Sequence, residues 1–246
     1  MATNKKVALV TGANRGIGFE TARQLGQKGV TVVVAARTLK SAEETASKLK
    51  TEGIDAFPVK LDVTNAQDRE AAARTIGDKF GKLDILVNNA GVGAQDGMFA
   101  PKTVNTTEEE LHTVFGTNVF ATIAVTRSLL PLIKKSDAGR IVNLSSILGS
   151  LTLHADPNSP IAAVKTFAYD ASKTALNAFT IHLAAELKDT KIKVNSAHPG
   201  WVKTEMGTDA APMEIPEGAK TSVDLALLGP DGPNGRFIHL GQELPW

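Results

Sequence analysis

The chain has no cysteine. A disulfide scaffold, a thiolate metal site and a cysteine nucleophile are thereby excluded. An excess of charge of either sign is lacking too. Against 27 Lys and Arg stand 26 Asp and Glu, for a formal net charge of +1. Nothing in that balance marks nucleic acid or an acidic membrane surface as a partner. No uninterrupted apolar run approaches the ~20 residues of a membrane span. The opening Met1-Ala2-Thr3-Asn4-Lys5-Lys6 leads directly into a short apolar stretch, without the layout of a signal peptide. A soluble, cytoplasmic protein is the expectation. No clustered set of metal ligands is visible, so no metal is expected. Tyrosine is nearly absent, with Tyr169 the only one in the chain.

That single tyrosine precedes Lys173 by four positions, in Tyr169-Asp170-Ala171-Ser172-Lys173. Residues four apart share one face of a helix. A phenol titrates near pH ~10 and carries protons poorly at neutrality. A nearby ammonium favours the phenolate and lowers that pKa. Such a tyrosine can give a proton to a carbonyl oxygen or take one from an alcohol. The same spacing also describes an amphipathic helix with a half-buried aromatic and a solvated lysine, so the rest of the chain must decide.

The 246 residues, 42% of them hydrophobic, suffice for one substantial core, and a single domain over 1–246 is expected. Short apolar runs at Lys6–Val10, Val30–Ala36, Ala56–Leu61, Leu83–Asn88, Arg140–Leu144, Lys193–Ala197 and Arg236–Leu240 read as strands. Their Val, Ile and Leu content with few alternating polar positions suits a parallel sheet buried on both faces. Helices are expected near 16–28, 39–52, 66–80, 107–134, 168–189 and 216–228. The βαβ rhythm indicates a doubly wound α/β sheet. Two stretches break it. Residues 147–167 hold Pro157, Asn158, Ser159 and Pro160. Residues 203–218 hold Gly207, Pro212, Pro216 and Gly218. Both are expected to be loops beside a binding crevice.

Thr11-Gly12-Ala13-Asn14-Arg15-Gly16-Ile17-Gly18 follows the first strand and opens the first helix. Glycines there permit a tight turn and close approach of the backbone to a pyrophosphate. The helix N-terminus offers free N–H groups and a favourable dipole to anions. The spacing Gly-x-x-x-Gly-x-Gly departs from the common G-x-G-x-x-G. With the tyrosine–lysine pair, it resembles the short-chain dehydrogenase/reductase superfamily. Further motifs in the same order carry that resemblance across the chain. They are Asn88-Asn89-Ala90-Gly91, Asn118 within Gly116-Thr117-Asn118-Val119, Ser145-Ser146, and Pro199-Gly200-Trp201-Val202-Lys203-Thr204. His198 before Pro199 and the terminal Leu244-Pro245-Trp246 are similar to the carbonyl reductase branch.

The resemblance implies a Rossmann-type parallel sheet of about seven strands with helices on both faces. It implies a nicotinamide cofactor held by Gly12, Asn14, Arg15, Gly16, Ile17 and Gly18. Asp62-Val63 match the adenine edge, although Asp62 also reads as an aspartate starting a turn before Thr64-Asn65. Asn89, Ala90 and Gly91 match the wall beside the adenine ribose, and Pro199, Gly200, Val202 and Thr204 the nicotinamide side. Tyr169 and Lys173 also face the cofactor. Where proteins preferring NAD place an acid after the second strand, this chain has Arg37. A guanidinium binds a 2′-phosphate through paired hydrogen bonds, so NADP(H) is expected, with Arg15 a second contact. A solvated strand-end arginine is the other reading of Arg37.

The implied catalytic set is Asn118, Ser146, Tyr169 and Lys173. Tyr169 is the proton donor in reduction, and Ser146 hydrogen-bonds the substrate oxygen. Lys173 lowers the phenol pKa and holds the nicotinamide ribose. Asn118 holds a water that links Lys173 to solvent. The interval from Ser146 to Tyr169 is longer than the common family pattern, which places an added loop at the pocket mouth. That loop precedes the helix on which many family members associate, so a monomer is expected ahead of a homodimer. Candidate substrate residues are Ser146, Leu148, Tyr169, Trp201 and Met206, with Leu151, His154 and Met213 beside them. His154 reads as a solvated loop histidine rather than a catalytic group. An apolar wall with few polar groups suits a ketone, aldehyde or quinone. The expected activity is NADPH-dependent carbonyl reduction. The alternatives are an NADP-linked alcohol dehydrogenase, an enone C=C reductase, or a nucleotide-binding regulatory protein without turnover.

Overall fold

The computed structural model describes residues 5–93 and 103–246. The expectation for the first four residues therefore lies outside it. Among the described residues, eight strands form one sheet in the order β3-β2-β1-β4-β5-β6-β7-β8. They are β1 (Val7–Val10), β2 (Thr31–Ala36), β3 (Ala56–Lys60), β4 (Ile85–Asn88), β5 (Arg140–Leu144), β6 (Lys193–Ala197), β7 (Phe237–His239) and β8 (Gln242–Glu243). The first seven pair in parallel. β8 was not expected. It is a two-residue antiparallel return onto β7 after Gly241, too short and too polar to show as an apolar run.

Alternation along each strand divides the core in two. On one face Val7, Leu9, Val33, Leu86 and Ile141 pack with α3 (Ala66–Phe80), α5 (Thr122–Ile133) and α7 (Phe167–Glu186). On the other, Ala8, Val10, Val32, Val87 and Val142 pack with α1 (Gly16–Gln27), α2 (Leu39–Thr51) and α8 (Ile215–Ala226). Apolar residues on both strand faces were the signal read from sequence, and this two-sided burial is its cause. From β1 the chain winds outward through β2 and β3, then returns to the other side at β4. The crevice at that reversal, beyond the strands' carboxyl ends, is where doubly wound sheets bind ligands.

Three expectations change. The helix expected over 107–134 is α4 (Glu108–Phe115), a π-helical segment (Gly116–Ala121) and α5 in succession. Its continuous span Glu108–Ile133 is long and apolar enough to cross a bilayer by length and composition. Half of its most apolar window is buried inside the fold, as befits a core helix. The expected loop 147–167 contains a 3₁₀ turn (Ile147–Gly149) and α6 (Leu151–Ala155), capped by the hydroxyls of Ser146 and Ser150. The loop expected to reach residue 218 stops where α8 begins at Ile215. Pro216 starts that helix rather than breaking it, because the first turn needs no N–H from it.

Candidate active site

The glycine loop returns over β2, with the Ala13 N–H donating to the Ala35 carbonyl at 3.0 Å. Gly12 and Gly16 have φ of 61° and 54°, in the left-handed region that favours glycine. The helices α2, α3 and α4 are each capped by a side chain, from Thr38, Asn65 and Thr107. The N-cap of α1 is Arg15, which supplies no such bond. α7 and α8 lack such a cap as well, but only α1 opens directly from a glycine loop at the switch point of the sheet, where its first amides can meet an anion. A pyrophosphate fits this cradle, and the residues present suit a dinucleotide. Asn14 and Arg15 are exposed beside it, and Ile17 is half-buried. Arg37, exposed at the end of β2, pairs with no carboxylate among the described residues.

Asn89 has a structural part in the turn after β4. Its amide donates to the carbonyls of Thr11 (2.7 Å) and Gly12 (3.1 Å), tying β4 to the glycine loop. Thr11 Oγ1 accepts from the N–H groups of Asn89 and Ala90. Asp62 Oδ1 accepts from the N–H (2.9 Å) and hydroxyl (2.7 Å) of Thr64, which is the turn-starting role. The Val63 side chain lies in the core and its carbonyl accepts from Arg69 at 2.7 Å.

Ser146 and the two α7 residues meet beyond β5. The Ser146 side chain faces the Tyr169 phenol closely enough to favour its ionised form. Lys173 is buried, its Nζ 5.5 Å from the Tyr169 ring centre and donating to the Leu144 carbonyl at 2.8 Å. Gly149 lets the turn after Ser146 lie directly on α7. A Cβ there would stand 2.8 Å from the Lys173 backbone. Ser145 N–H pairs with Ala197, and the buried Ser145 hydroxyl has no partner. Ser146, not Ser145, therefore faces the tyrosine, as strand alternation requires.

The expected lowering of the Tyr169 pKa does not occur here. Burial, and secondarily the Asp170 charge, outweigh the Ser146 contact and push it up to about 12. Lys173 gives no offset in the range where the phenol titrates, because its own burial pulls it down to about 8 and it is neutral there. A charge held in an apolar site is disfavoured whichever its sign. Tyr169 is thus a protonated phenol in this structure, holding a proton but holding it more tightly than a free phenol would.

Asn118 sits in the π-helical segment. Its Oδ1 accepts from the Val92 N–H (2.9 Å), and its Nδ2 donates to the Val92 carbonyl (2.9 Å) and to Ser172 Oγ (3.0 Å). A Cβ on Gly91 would lie 3.2 Å from Asn118 Oδ1 and 3.7 Å from Lys173 Nζ, so Gly91 keeps those two side chains close.

The segment after Pro199 crosses the crevice. Gly200 has φ of 90°, and a Cβ there would strike Met213. Val202 is buried and bridges to Met213. Trp201 Nε1 donates to the Gly207 carbonyl at 2.6 Å. A Cβ on Gly16 would meet Thr204 at 3.7 Å, and one on Gly93 would meet Met206 at 3.2 Å. Residues 204–206 thus lie between the glycine loop and the end of β4. Of the pocket candidates, Leu148 is buried whereas Leu151 is 63% exposed and forms no wall.

Several participants were missed in the sequence. Glu205 pairs with Arg15 across the crevice. His198 is buried and accepts the Ile147 N–H at Nδ1 (3.2 Å). Burial, with the neighbouring His239, pushes its pKa down to about 3. His154 is not the expected solvated histidine. Its side chain is 14% exposed, and it contacts Leu148, Lys165 and Asp170. Position beside Thr204 and Pro199 was the available signal for Glu205 and His198. Lys165 and Asp170 carried none beyond proximity to Tyr169.

Comparison with known proteins agrees with this geometry. The short chain dehydrogenase family profile matches residues 6–215. Carbonyl reductase (NADPH) 1 of Mus musculus is 32% identical, with all of both chains covered. The structure of an NADPH-bound carbonyl reductase from chicken fatty liver superposes with a TM-score of 0.85 at 28% identity, covering 99% of this chain and 100% of that one. Salutaridine reductase from Papaver somniferum gives 0.81 at 32% identity, covering 95% and 99%. The chain therefore belongs to the short-chain dehydrogenase family, and is an oxidoreductase that works with a nicotinamide cofactor.

Proposed function

We propose that the protein reduces a ketone, aldehyde or quinone to the alcohol with NADPH, with Tyr169 as the general acid. The observation that carries this is the meeting of the Ser146 hydroxyl with a Tyr169 phenol held protonated by burial. Bound NADPH supplies the hydride. Negative charge then develops on the carbonyl oxygen, and donors already aimed at it lower the barrier. Ser146 donates one hydrogen bond, and Tyr169 transfers its hydroxyl proton to that oxygen. Lys173, anchored on the Leu144 carbonyl, stands beside the phenol to stabilise the phenolate left behind. Asn118, near Lys173 across Gly91, is assigned the water that reconnects it to solvent.

A phenol pushed up to about 12 carries its proton at neutral pH, which is the form that reduction requires. Preference for the phosphorylated dinucleotide rests on the unpaired Arg37, on Arg15, and on the NADPH named for the mouse and chicken relatives. Leu148, Trp201 and Met206, with Met213 behind them, are assigned the substrate side. The α6 segment before α7 favours a monomer, and sedimentation velocity tests the oligomeric state.

Tyr169→Phe is expected to cut kcat at least about a hundredfold, the scale of a lost general acid, while NADPH still binds. Retention of most activity removes Tyr169 from the mechanism. A panel of ketones, aldehydes, quinones and enones, read by NADPH absorbance, tests the substrate class. Turnover confined to enones transfers the assignment to C=C reduction. Binding of NADPH without oxidation by any member would favour a regulatory protein.

A further inference from the structure

The turn that carries Ser146 is bracketed by two imidazoles. On one side the Ile147 N–H donates to His198 Nδ1. On the other, His154 Nε2 lies 2.9 Å from the Leu148 carbonyl oxygen. Between them the Leu148 N–H donates to Ser146 Oγ at 3.2 Å. One residue, Leu148, is thus held by a histidine through its carbonyl while its N–H occupies an acceptor site of the serine.

The neighbours of His154 select one protonation state. A carbonyl only accepts, so Nε2 carries a proton. Lys165 Nζ lies 3.0 Å from Nδ1, and an ammonium only donates, so Nδ1 is the acceptor. Lys165 also donates to the His154 carbonyl at 3.1 Å. Asp170 Oδ2 stands 3.5 Å from Nε2, on the side where the proton lies. The carboxylate of Asp170, the residue after Tyr169, accepts the Thr166 N–H (2.9 Å) and hydroxyl (2.8 Å), and so holds the start of α7. The His154 side chain therefore joins α6, the Ser146 turn and the start of α7.

We propose that neutral His154, donating from Nε2 to the Leu148 carbonyl, is a positioning residue that fixes the orientation of the Ser146 hydroxyl toward Tyr169. The Leu148 N–H fills one lone pair of Ser146 Oγ, and the serine's own proton is left for the oxygen presented at Tyr169. This rests on the reading of Ser146 and Tyr169 as the reacting pair. On this assignment α6 is a strut for the chemistry as well as a rim for the pocket.

The test compares His154→Leu with His154→Gln, whose amide can donate from near the Nε2 position. Hydride transfer is followed in a single turnover of NADPH absorbance, with a ketone that the wild type reduces. His154→Leu should slow it by about tenfold to a hundredfold, the scale of loss from a misplacement of about 1 Å. NADPH affinity by fluorescence titration should stay within about twofold, because the contacts of His154 are with the inserted segment and α7. His154→Gln should recover most of the rate. A rate kept by the leucine variant, equal losses in both variants, or a loss matched by weaker NADPH binding would each overturn the proposal. If His154→Leu does not fold, nitrogen-15 NMR of wild-type imidazoles at neutral pH decides, with His154→Gln assigning the signal. The neutral Nε2–H tautomer supports the proposal, and an Nδ1–H tautomer or an imidazolium rejects it. Tyr169→Phe is run in parallel. Full turnover in that variant sinks the reading of the site itself, whatever the tautomer shows.

Discussion

At the scale of single residues, burial sets the protonation states. Tyr169 is pushed up to about 12 and Lys173 down to about 8, for the same reason with opposite sign. The four-residue spacing placed the two side chains on one face but held no measure of their desolvation. Two arginines define a second residue-scale question. Arg37→Asp is expected to lower the ratio of NADPH to NADH kcat/KM by about tenfold or more, since a carboxylate repels the 2′-phosphate that a guanidinium pairs with. An unchanged ratio would return Arg37 to a solvated strand end. Arg15 already has an anionic partner in Glu205. Both side chains are largely exposed, so the pair is weak, and a phosphate can displace the carboxylate. Glu205→Gln should tighten NADPH by a few-fold, as an exposed pair of this kind allows. Fluorescence titration measures it, and a weaker complex would mean that Glu205 does not compete.

At the scale of elements, the glycine loop is a packed object. Its glycines were legible in the sequence as a phosphate cradle, but the reason for Gly18 was not. A Cβ there would stand 2.4 Å from both Asn89 Nδ2 and the Gly12 carbonyl. Gly18→Ala should therefore dislodge Asn89 from the Thr11 and Gly12 carbonyls, at about 1–3 kcal/mol of overpacking. Thermal unfolding should show a lower Tm, and NADPH titration a weakened complex. Wild-type values in both would show that Asn89 yields freely. The inserted segment makes the complementary point. Pro157, Asn158, Ser159 and Pro160 marked it as irregular. The 3₁₀ turn and α6 before them are too short for a visible period, and form because Ser146 and Ser150 cap them. Pro216 stood both in the expected loop 203–218 and at the start of the helix expected near 216, because proline is both a breaker and a first-turn residue, and α8 resolves it as the latter.

At the scale of the whole molecule, the reversal of winding between β1 and β4 brings together residues from every part of the chain. It also buries groups that titrate. His198, between β6 and the crevice, is pushed down to about 3 from 6.5. Between those values the unfolded chain binds a proton at this position and the folded one does not. Stability from neutral His198 is therefore complete above about pH 6.5 and is lost as pH falls toward 3. The full effect is on the order of a few kcal/mol. His198→Asn, whose amide oxygen can accept the Ile147 N–H, should flatten the fall of Tm over that range. A fall as steep as the wild type's would assign acid sensitivity to other groups.

The sequence alone determined the βαβ order, the two-sided apolar strands, the glycine loop and the placement of Tyr169 and Lys173 on one helix face. These follow from local period and spacing, which a chain carries before it folds. The tertiary structure alone decided that Tyr169 stays protonated, that Glu205 meets Arg15, and that His154 and His198 bracket the Ser146 turn. Those pairs join residues whose chain separation reaches 190 positions, as between Arg15 and Glu205. Desolvation and long-range pairing depend on which surfaces the sheet brings together, and no short window of the sequence contains both Arg15 and Glu205 or both Ile147 and His198.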